Sequence, residues 1–223
     1  MPWAIFERAA GQYEAWYATP PGRRADRAER ALLAWLLEGF PRAQHVLEVG
    51  CGTGHFTAWL ASQGWRVIGL DRAPAMLAEV RQNRPDMTVM VGDAHSLPMR
   101  EGAIDLVVFV TTLEFLDEPA RALAEATRVA RQGLVVVALN RWSLGGLSRR
   151  WGSQARQPLL GQARDTSVVS LWAMVKAAVG TRLQAIHWVS TLFPDGLWRV
   201  QAPIPLGAVI GMAARMTGKE EAR

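Results

Sequence analysis

The chain has 223 residues, half of them hydrophobic, so it can bury a full core and is not a disordered segment. Its net charge is +5, and its basic residues are nearly all arginines. Asp26 and Glu29 alternate with the arginines from Arg23 to Arg30, which favours a solvated helix face over a nucleic-acid surface. The single cysteine, Cys51, excludes an internal disulfide. Without a signal-peptide pattern or an apolar run of membrane length, we expect a cytoplasmic protein with no membrane span.

An aromatic-rich segment and an amphipathic helix precede the main pattern of elements. Apolar side chains recur at helical spacing across residues 24–40, with arginines between them, and Pro41 ends this pattern. We therefore expect residues 1–40 to form a helical cover.

Strands and helices alternate across the next hundred residues. The predicted strands are Val46–Val49, Arg66–Leu70, Met87–Val91, Ile104–Val110 and Leu134–Leu139, and the predicted helices are Phe56–Gln63, Pro74–Arg84 and Asp117–Arg131. This alternation predicts an α/β fold with a parallel sheet covered on both faces.

The alternation stops after Asn140. Residues 141–165 are polar and arginine-rich, and we interpret them as an insertion or lid. A helix is expected from Thr166 to Val179, and then strands at Leu183–Leu192 and Leu206–Ala214 around a turn at Phe193–Gly196. No domain boundary is indicated.

The most informative segment is Val46–Gly54, in which an apolar strand runs into three glycines at alternating positions. Glycines such as Gly50 and Gly52 let a main-chain turn approach a nucleotide-like ligand closely. The dinucleotide fingerprint would place its third glycine where His55 stands, and here Gly54 comes one residue earlier. The loop therefore departs from the nicotinamide pattern.

Three acidic residues fall at or near strand ends, where open parallel sheets bind ligands. Asp71 follows Gly54 by seventeen residues, close to the spacing of about 20 expected for an acid that binds ribose; the alternative is a helix cap. Asp93 could accept from an adenine amine while the Ala94 amide meets a ring nitrogen, or it is a turn aspartate. The third acid, Glu48, has no counterpart in the dinucleotide fingerprint.

Together these motifs resemble the seven-strand S-adenosylmethionine-dependent methyltransferases, most closely the small-molecule, ubiquinone-biosynthesis-like type. Four motifs in order carry the resemblance over about residues 13–140: Val46–Gly54, Val67–Asp71 with Pro74–Leu77, Gly92–Ala94 with Leu97–Pro98, and Ile104–Val108. It implies a doubly wound, mostly parallel, Rossmann-like seven-stranded sheet with a C-terminal antiparallel hairpin, an N-terminal helical cover and a lid insertion. One methyltransferase domain would span residues 1–223, with the cosubstrate-binding core at 41–140 and the lid, helix and closing strands at 141–223.

The resemblance also implies the cosubstrate, S-adenosylmethionine, and its product, S-adenosylhomocysteine. The glycine loop would hold the methionine moiety, Glu48 would help to fix its amino group, Asp71 would bind ribose, and Asp93 with Ala94 would bind adenine. The remaining candidates for cosubstrate contact are Tyr13, Tyr17, Gly50, Cys51, Gly52, Gly54, Arg72, Met76 and Thr111.

The catalytic candidates are Glu114 and His187. Because the sulfonium carries its own driving force, the enzyme's main task is to align the nucleophile and exclude water, and only a phenol or an amine needs a base. Glu114 stands where related enzymes often carry a histidine pair; it could instead contact the methionine end of the cosubstrate. His55 is interpreted as a packing or cosubstrate contact and His95 as a surface residue. No Cys/His cluster has metal-ligand spacing, so no metal site is expected.

We therefore predict methyl transfer by in-line displacement to a small, apolar or aromatic acceptor. Two alternatives stay open. RNA methylation is suggested by the basic charge, although no basic RNA-binding module is visible, so no nucleic-acid partner is expected. The chain could also bind S-adenosylmethionine without catalysis. The acceptor atom and the oligomeric state are not indicated.

Overall fold

The computed structural model describes residues 4–143, 163–164, 166–193 and 200–217. In these ranges the helices are α1 (Ala4–Tyr17), α2 (Pro20–Leu37), α3 (His55–Ser62), α4 (Pro74–Asn83), α5 (Pro119–Val129) and α6 (Val168–Val179). The strands are β1 (His45–Val49), β2 (Arg66–Asp71), β3 (Thr88–Val91), β4 (Ile104–Val110), β5 (Ala130–Leu139), β6 (Leu183–Thr191) and β7 (Val209–Met216). No helix in the described ranges has the length and apolar character needed to cross a membrane.

All seven strands form one sheet in the order β3-β2-β1-β4-β5-β7-β6. The first five strands run parallel, while β7 is antiparallel to both β5 and β6. Strand β4 is buried along its whole length because helices cover both faces of the sheet. The predicted fold class, a doubly wound sheet closed by an antiparallel hairpin, is confirmed.

Several element boundaries differ from the sequence prediction, each for a local reason. Helix α2 begins at Pro20 because the Thr19 hydroxyl accepts the Gly22 amide and proline is tolerated in the first turn. Strand β7 begins at Val209, later than the predicted Leu206, because the Gly207 amide donates to the Ser190 hydroxyl instead of a strand ladder.

Two other predicted segments lie largely outside the described ranges. Of the expected lid at residues 141–165, the structure describes only 141–143 and 163–164. The expected turn at Phe193–Gly196 falls outside them after its first residue.

Helix α2 crosses the sheet in the direction opposite to β5. Just beyond the helix, Phe40 packs so closely on Gly133, near the start of β5, that a Cβ there would lie 2.4 Å from the Phe40 ring. Leu32 and Leu36 pack on Gly211 of β7, which pairs with Val137, four residues further along β5. The N-terminal half of α2 therefore lies at the carboxyl ends of the central strands.

Candidate active site

A cleft of about 570 Å³, open mouth included, lies at the carboxyl ends of the central strands. Five predicted cosubstrate residues line it: Gly50, Asp71, Arg72, Asp93 and Ala94. The structure thus brings together residues from three separate motifs.

The glycine loop turns sharply from β1 into α3. Gly50, Gly52 and Gly54 all have positive φ, at 76°, 53° and 78°, a region that residues with a Cβ rarely occupy. A Cβ on Gly50 would lie 2.3 Å from the Thr112 Cγ2 atom, so the loop also needs glycine for close approach. The amides of Gly50 and Cys51 donate to the Leu70 carbonyl at 2.7 and 3.1 Å and bind the loop to β2.

Asp71 stands at the end of β2 with each carboxylate oxygen fixed by an amide. Gly52 N donates to Oδ2 and Ala73 N to Oδ1, both at 2.8 Å. Burial raises the pKa of Asp71 above its usual value, against the opposite effect of these hydrogen bonds. A carboxylate has about four lone-pair sites, so these hydrogen bonds leave acceptor capacity for a ribose hydroxyl. The geometry fits the ribose role.

Asp93 forms the next part of the cleft wall, beside the buried Ala94. Its Oδ1 accepts from the amide and the Nδ1 of His95, at 2.9 and 2.7 Å, and Arg72 lies 3.6 Å from Oδ2. Burial would raise the pKa of Asp93, but these bonds and charges outweigh it and lower the pKa. The interpretation of His95 as a surface residue is wrong: its side chain is 11% exposed, and its Nε2 accepts the Glu118 amide.

Three predicted cosubstrate residues lie behind the cleft wall instead of lining it. Glu48 is buried under α3 and accepts from the Thr57 hydroxyl, and burial raises its pKa to about 8. The Cys51 sulfur faces Gly69, and burial raises the pKa of this thiol. Met76 is 1% exposed and packs in the cluster beneath α1.

Helix α1 lies beside the loop and closes one side of the cleft. Phe6 meets Phe115 edge-on with 4.8 Å between ring centroids, and Tyr17 stacks on His55 at 3.7 Å. Tyr13 and Tyr17 share a side-chain hydrogen bond, and burial raises the pKa of Tyr13 to about 12. Both tyrosines, which were predicted to contact the cosubstrate, lie beside the loop and are not among the residues of the cleft wall.

A charged network that the sequence did not indicate ties the two cover helices to the loop. His55 lies between Glu14 of α1, at 3.4 Å, and Asp26 of α2, at 2.7 Å. The Thr53 hydroxyl donates to Glu14 at 2.5 Å, and Arg30 pairs with Asp26 at 2.6 Å. These contacts set the positions of α1 and α2 relative to the glycine loop.

Glu114 lies in a short turn after β4. The turn follows Thr111, whose φ of 46° is unusual for a residue with a Cβ. Glu114 is 2% exposed, and its Oε1 accepts the amide of Leu139 at the end of β5. Its backbone carbonyl accepts the amide of Arg164 at 2.9 Å, so this turn contacts the end of the lid segment.

A second buried carboxyl, Glu29 of α2, lies near Glu114. Glu29 is only 5% exposed, so the expectation of a solvated helix face is wrong at this position. Burial, and then the charges of Asp26 and Glu114, raise the pKa of Glu29 to about 8. Its spacing from Leu32, Leu33 and Leu36 is that of the apolar stripe, which is the sequence signal that could have identified it.

His187 is not brought to the cleft. It is exposed on the edge strand β6, four strand positions from β1, a separation of about 19 Å. In the described part of the chain, no group of three or more histidine, cysteine, aspartate or glutamate side chains could hold a metal ion.

Comparisons with known proteins identify the family of the chain. A family model described as a methyltransferase domain matches residues 47–138. The malonyl-[acyl-carrier protein] O-methyltransferase of Serratia marcescens is 30% identical over 208 residues, which are 92% of this chain and 77% of that protein. Several other curated relatives are matched over between 26% and 56% of their own length.

Solved structures show the same fold. A Thermotoga maritima protein, described as a SAM-dependent methyltransferase and possible histamine N-methyltransferase, is 27% identical with a TM-score of 0.75, over 96% of this chain and 99% of that one. Magnesium protoporphyrin IX methyltransferase from Synechocystis PCC 6803, with bound S-adenosylhomocysteine, is 15% identical with a TM-score of 0.66, over 95% and 99% of the two chains. The chain therefore belongs to the S-adenosylmethionine-dependent methyltransferases, and S-adenosylmethionine is its cosubstrate.

Proposed function

We propose that this enzyme methylates a small acceptor with an apolar or aromatic body, by in-line displacement. The observation that carries the proposal is the cleft, where Gly50, Asp71 and Asp93 meet at one sheet edge and Phe6 and Phe115 close one side. The bound cosubstrate supplies an electrophilic methyl group. The residues of this chain would hold the ribose at Asp71 and the adenine at Asp93 and Ala94.

The acceptor would enter on the side of β4 and β5, beyond the glycine loop. Leu139, Val110, Leu192, Ala163 and Tyr17 belong to one apolar cluster on this side of the sheet, which suits an apolar body. Glu114, fixed by the Leu139 amide, is the candidate base for an acceptor that must lose a proton. The exposed position of His187 gives it no such role.

The Serratia relative is named for a malonyl group on a carrier protein, and the Thermotoga relative for a possible amine acceptor. A malonyl carboxylate would approach Glu114 here, whose negative charge already disfavours ionisation of the neighbouring Glu29, and like charges repel in a buried site. This observation favours a small molecule without a carboxylate over a malonyl thioester.

The experiment is a turnover screen with S-adenosylmethionine labelled in its methyl group, against thiols, phenols, amines and quinols, with binding of S-adenosylhomocysteine measured by calorimetry. We expect tight binding of the product and label transfer to one acceptor class. Binding without transfer to any member would favour a non-catalytic binding protein, whereas transfer only to RNA would refute a small acceptor.

A further inference from the structure

Two buried carboxyls approach each other from different elements beside the glycine loop. Glu29 comes from α2, and Glu114 comes from the turn after β4; they are 5% and 2% exposed. Burial of each carboxyl costs free energy, because a carboxyl is rarely buried without a partner that compensates the loss of water. Glu114 accepts the Leu139 amide. Within the described residues, the Glu29 side chain makes no hydrogen bond and no ion pair.

The path of α2 places Glu29 at the same level as Glu114. Leu32 and Leu36 of this helix pack at the level of Val137 in β5, and the helix runs from there toward the carboxyl edge as its numbering decreases. Three residues before Leu32, at a rise of about 1.5 Å per residue, Glu29 is level with the end of β5. Strand β5 ends at Leu139, whose amide donates a hydrogen bond to the Glu114 carboxylate.

In the described ranges, the charges that act on the Glu29 carboxyl are negative, although Asp26 itself pairs with Arg30 and His55. The ionisable groups whose charges affect it are Asp26 and Glu114, and both disfavour its ionised form. The two tyrosines of α1 lie near it as well, since its charge contributes to the raised pKa values of Tyr13 and Tyr17. The pKa of Tyr13 also responds to Asp71, so this group of side chains adjoins the ribose end of the cleft.

We propose that Glu29 and Glu114 form the acceptor subsite and that the methyl acceptor is a basic amine whose nitrogen binds between the two carboxyls. This proposal rests on the proposed function, and it names the substrate class of the same site. An ammonium group supplies the opposite charge and the donors that Glu29 lacks in the described part of the chain. The apolar residues around the pair would hold the hydrocarbon part of the amine.

The same pair has a role in the reaction. The ammonium loses one proton to an ionised carboxylate of the pair, which becomes a carboxylic acid. The freed nitrogen lone pair forms the N–C bond to the methyl group while the C–S bond breaks and its electron pair returns to sulfur. The products are the N-methylated acceptor in its protonated form and S-adenosylhomocysteine, whose sulfur is now an uncharged thioether, so atoms and charge balance.

The ammonium of the cosubstrate's own methionine is the other source of the same chemistry. The test separates the two with paired probes, 2-phenylethylamine against 2-phenylethanol and butylamine against butanol, titrated by calorimetry into the protein saturated with S-adenosylhomocysteine. The variants are Glu29→Gln and Glu114→Gln, with Glu38→Gln as the matched control, since Glu38 is exposed at the end of the same helix. Circular dichroism checks that each variant is folded.

We expect at least one amine to bind tenfold or more tightly than its alcohol in the wild type and the Glu38→Gln control. In Glu29→Gln this preference falls to near unity, while the Kd of S-adenosylhomocysteine stays within twofold. If Glu114→Gln does not fold, Glu29→Gln alone decides.

Three results would overturn the proposal: no amine preferred over its alcohol, a preference that survives in Glu29→Gln, or a tenfold loss of S-adenosylhomocysteine binding in that variant, which would assign Glu29 to the cosubstrate. Failure of the wild type to bind S-adenosylhomocysteine would instead refute the proposed function itself.

Discussion

The raised pKa of Glu29 has a direct consequence for stability, which Glu29→Gln isolates. Burial, followed by the charges of Asp26 and Glu114, raises this pKa from 4.5 to about 8 in the folded chain. Between these two pH values the folded chain keeps a proton on Glu29 that the unfolded chain has lost. The free energy of unfolding must therefore decrease as pH rises through this window, and the effect is complete above the folded pKa.

The magnitude follows from the proton difference. One proton held only by the folded state changes the free energy of unfolding by about 1.4 kcal/mol per pH unit, so Glu29 contributes a loss of about 2.7 kcal/mol between pH 5.5 and 7.5. Glu48, whose pKa burial also raises to about 8, adds a similar amount. Carboxyls with lowered pKa values, such as Asp93 and Asp105, titrate below this window and do not contribute to it.

The assay is urea denaturation of the ligand-free protein at several pH values between 5.5 and 7.5, followed by circular dichroism. Glu29 and Glu48 together should account for a loss of about 5 kcal/mol across the window, and Glu29→Gln or Glu48→Gln should each remove about half of it. The double variant should keep only the part due to other carboxyls whose pKa burial raises, such as Asp71. The exposed Glu38→Gln serves as the control and should keep the wild-type slope. An unchanged slope in Glu29→Gln would show that Glu29 is ionised in the folded state, contrary to its burial.

Three further predictions concern the cleft. Asp71→Ala should weaken S-adenosylhomocysteine binding more than tenfold in calorimetry, since a charged bidentate contact is lost, and an unchanged titration would contradict the ribose role. Gly50→Ala should be less stable in urea than Gly64→Ala, because the new Cβ at position 50 would lie 2.3 Å from a threonine side chain. Gly64 has a positive φ as well but open space around it, so equal losses of stability would mean that close approach is unimportant. Glu114→Gln should lower turnover of labelled S-adenosylmethionine with cosubstrate affinity nearly intact, whereas His187→Ala, exposed on β6, should leave turnover unchanged; normal turnover in the first would remove Glu114 as the base.

The cosubstrate side of the cleft could be predicted from the sequence because its residues are local to strand ends. Asp71 is the last residue of β2 and Asp93 stands two residues after the end of β3, and parallel strands bring their carboxyl ends to one edge. The same locality explains why the sequence singles out Gly50, which has to be glycine both for its φ and for its distance from Thr112. These requirements act within a few residues of the motif and so leave a signal in it.

The acceptor side could not be predicted in the same way because its residues depend on how separate elements pack. Glu29 lies among arginines along the chain, and its burial follows from the docking of α2 across β5 and β7. The partners of His55 could not be predicted either, because Glu14 and Asp26 come from the separate helices α1 and α2. The number of charged residues in a segment indicates how exposed the segment is on average. The helical spacing of Glu29 from Leu32 and Leu36 indicates that Glu29 lies on the buried face of α2.

The two sides of the site are nevertheless joined through one helix. Asp26 binds His55 at the start of α3, directly after the glycine loop, and Glu29 lies three residues further along the same rigid α2. The contact that holds the cover against the loop therefore also determines the position of the buried carboxyl at the acceptor side. A shift of the loop would move Glu29 relative to Glu114, which is fixed independently by the end of β5. On the proposed role of Glu29, alignment of the methyl group and its acceptor therefore depends on the packing of α1 and α2 against the glycine loop.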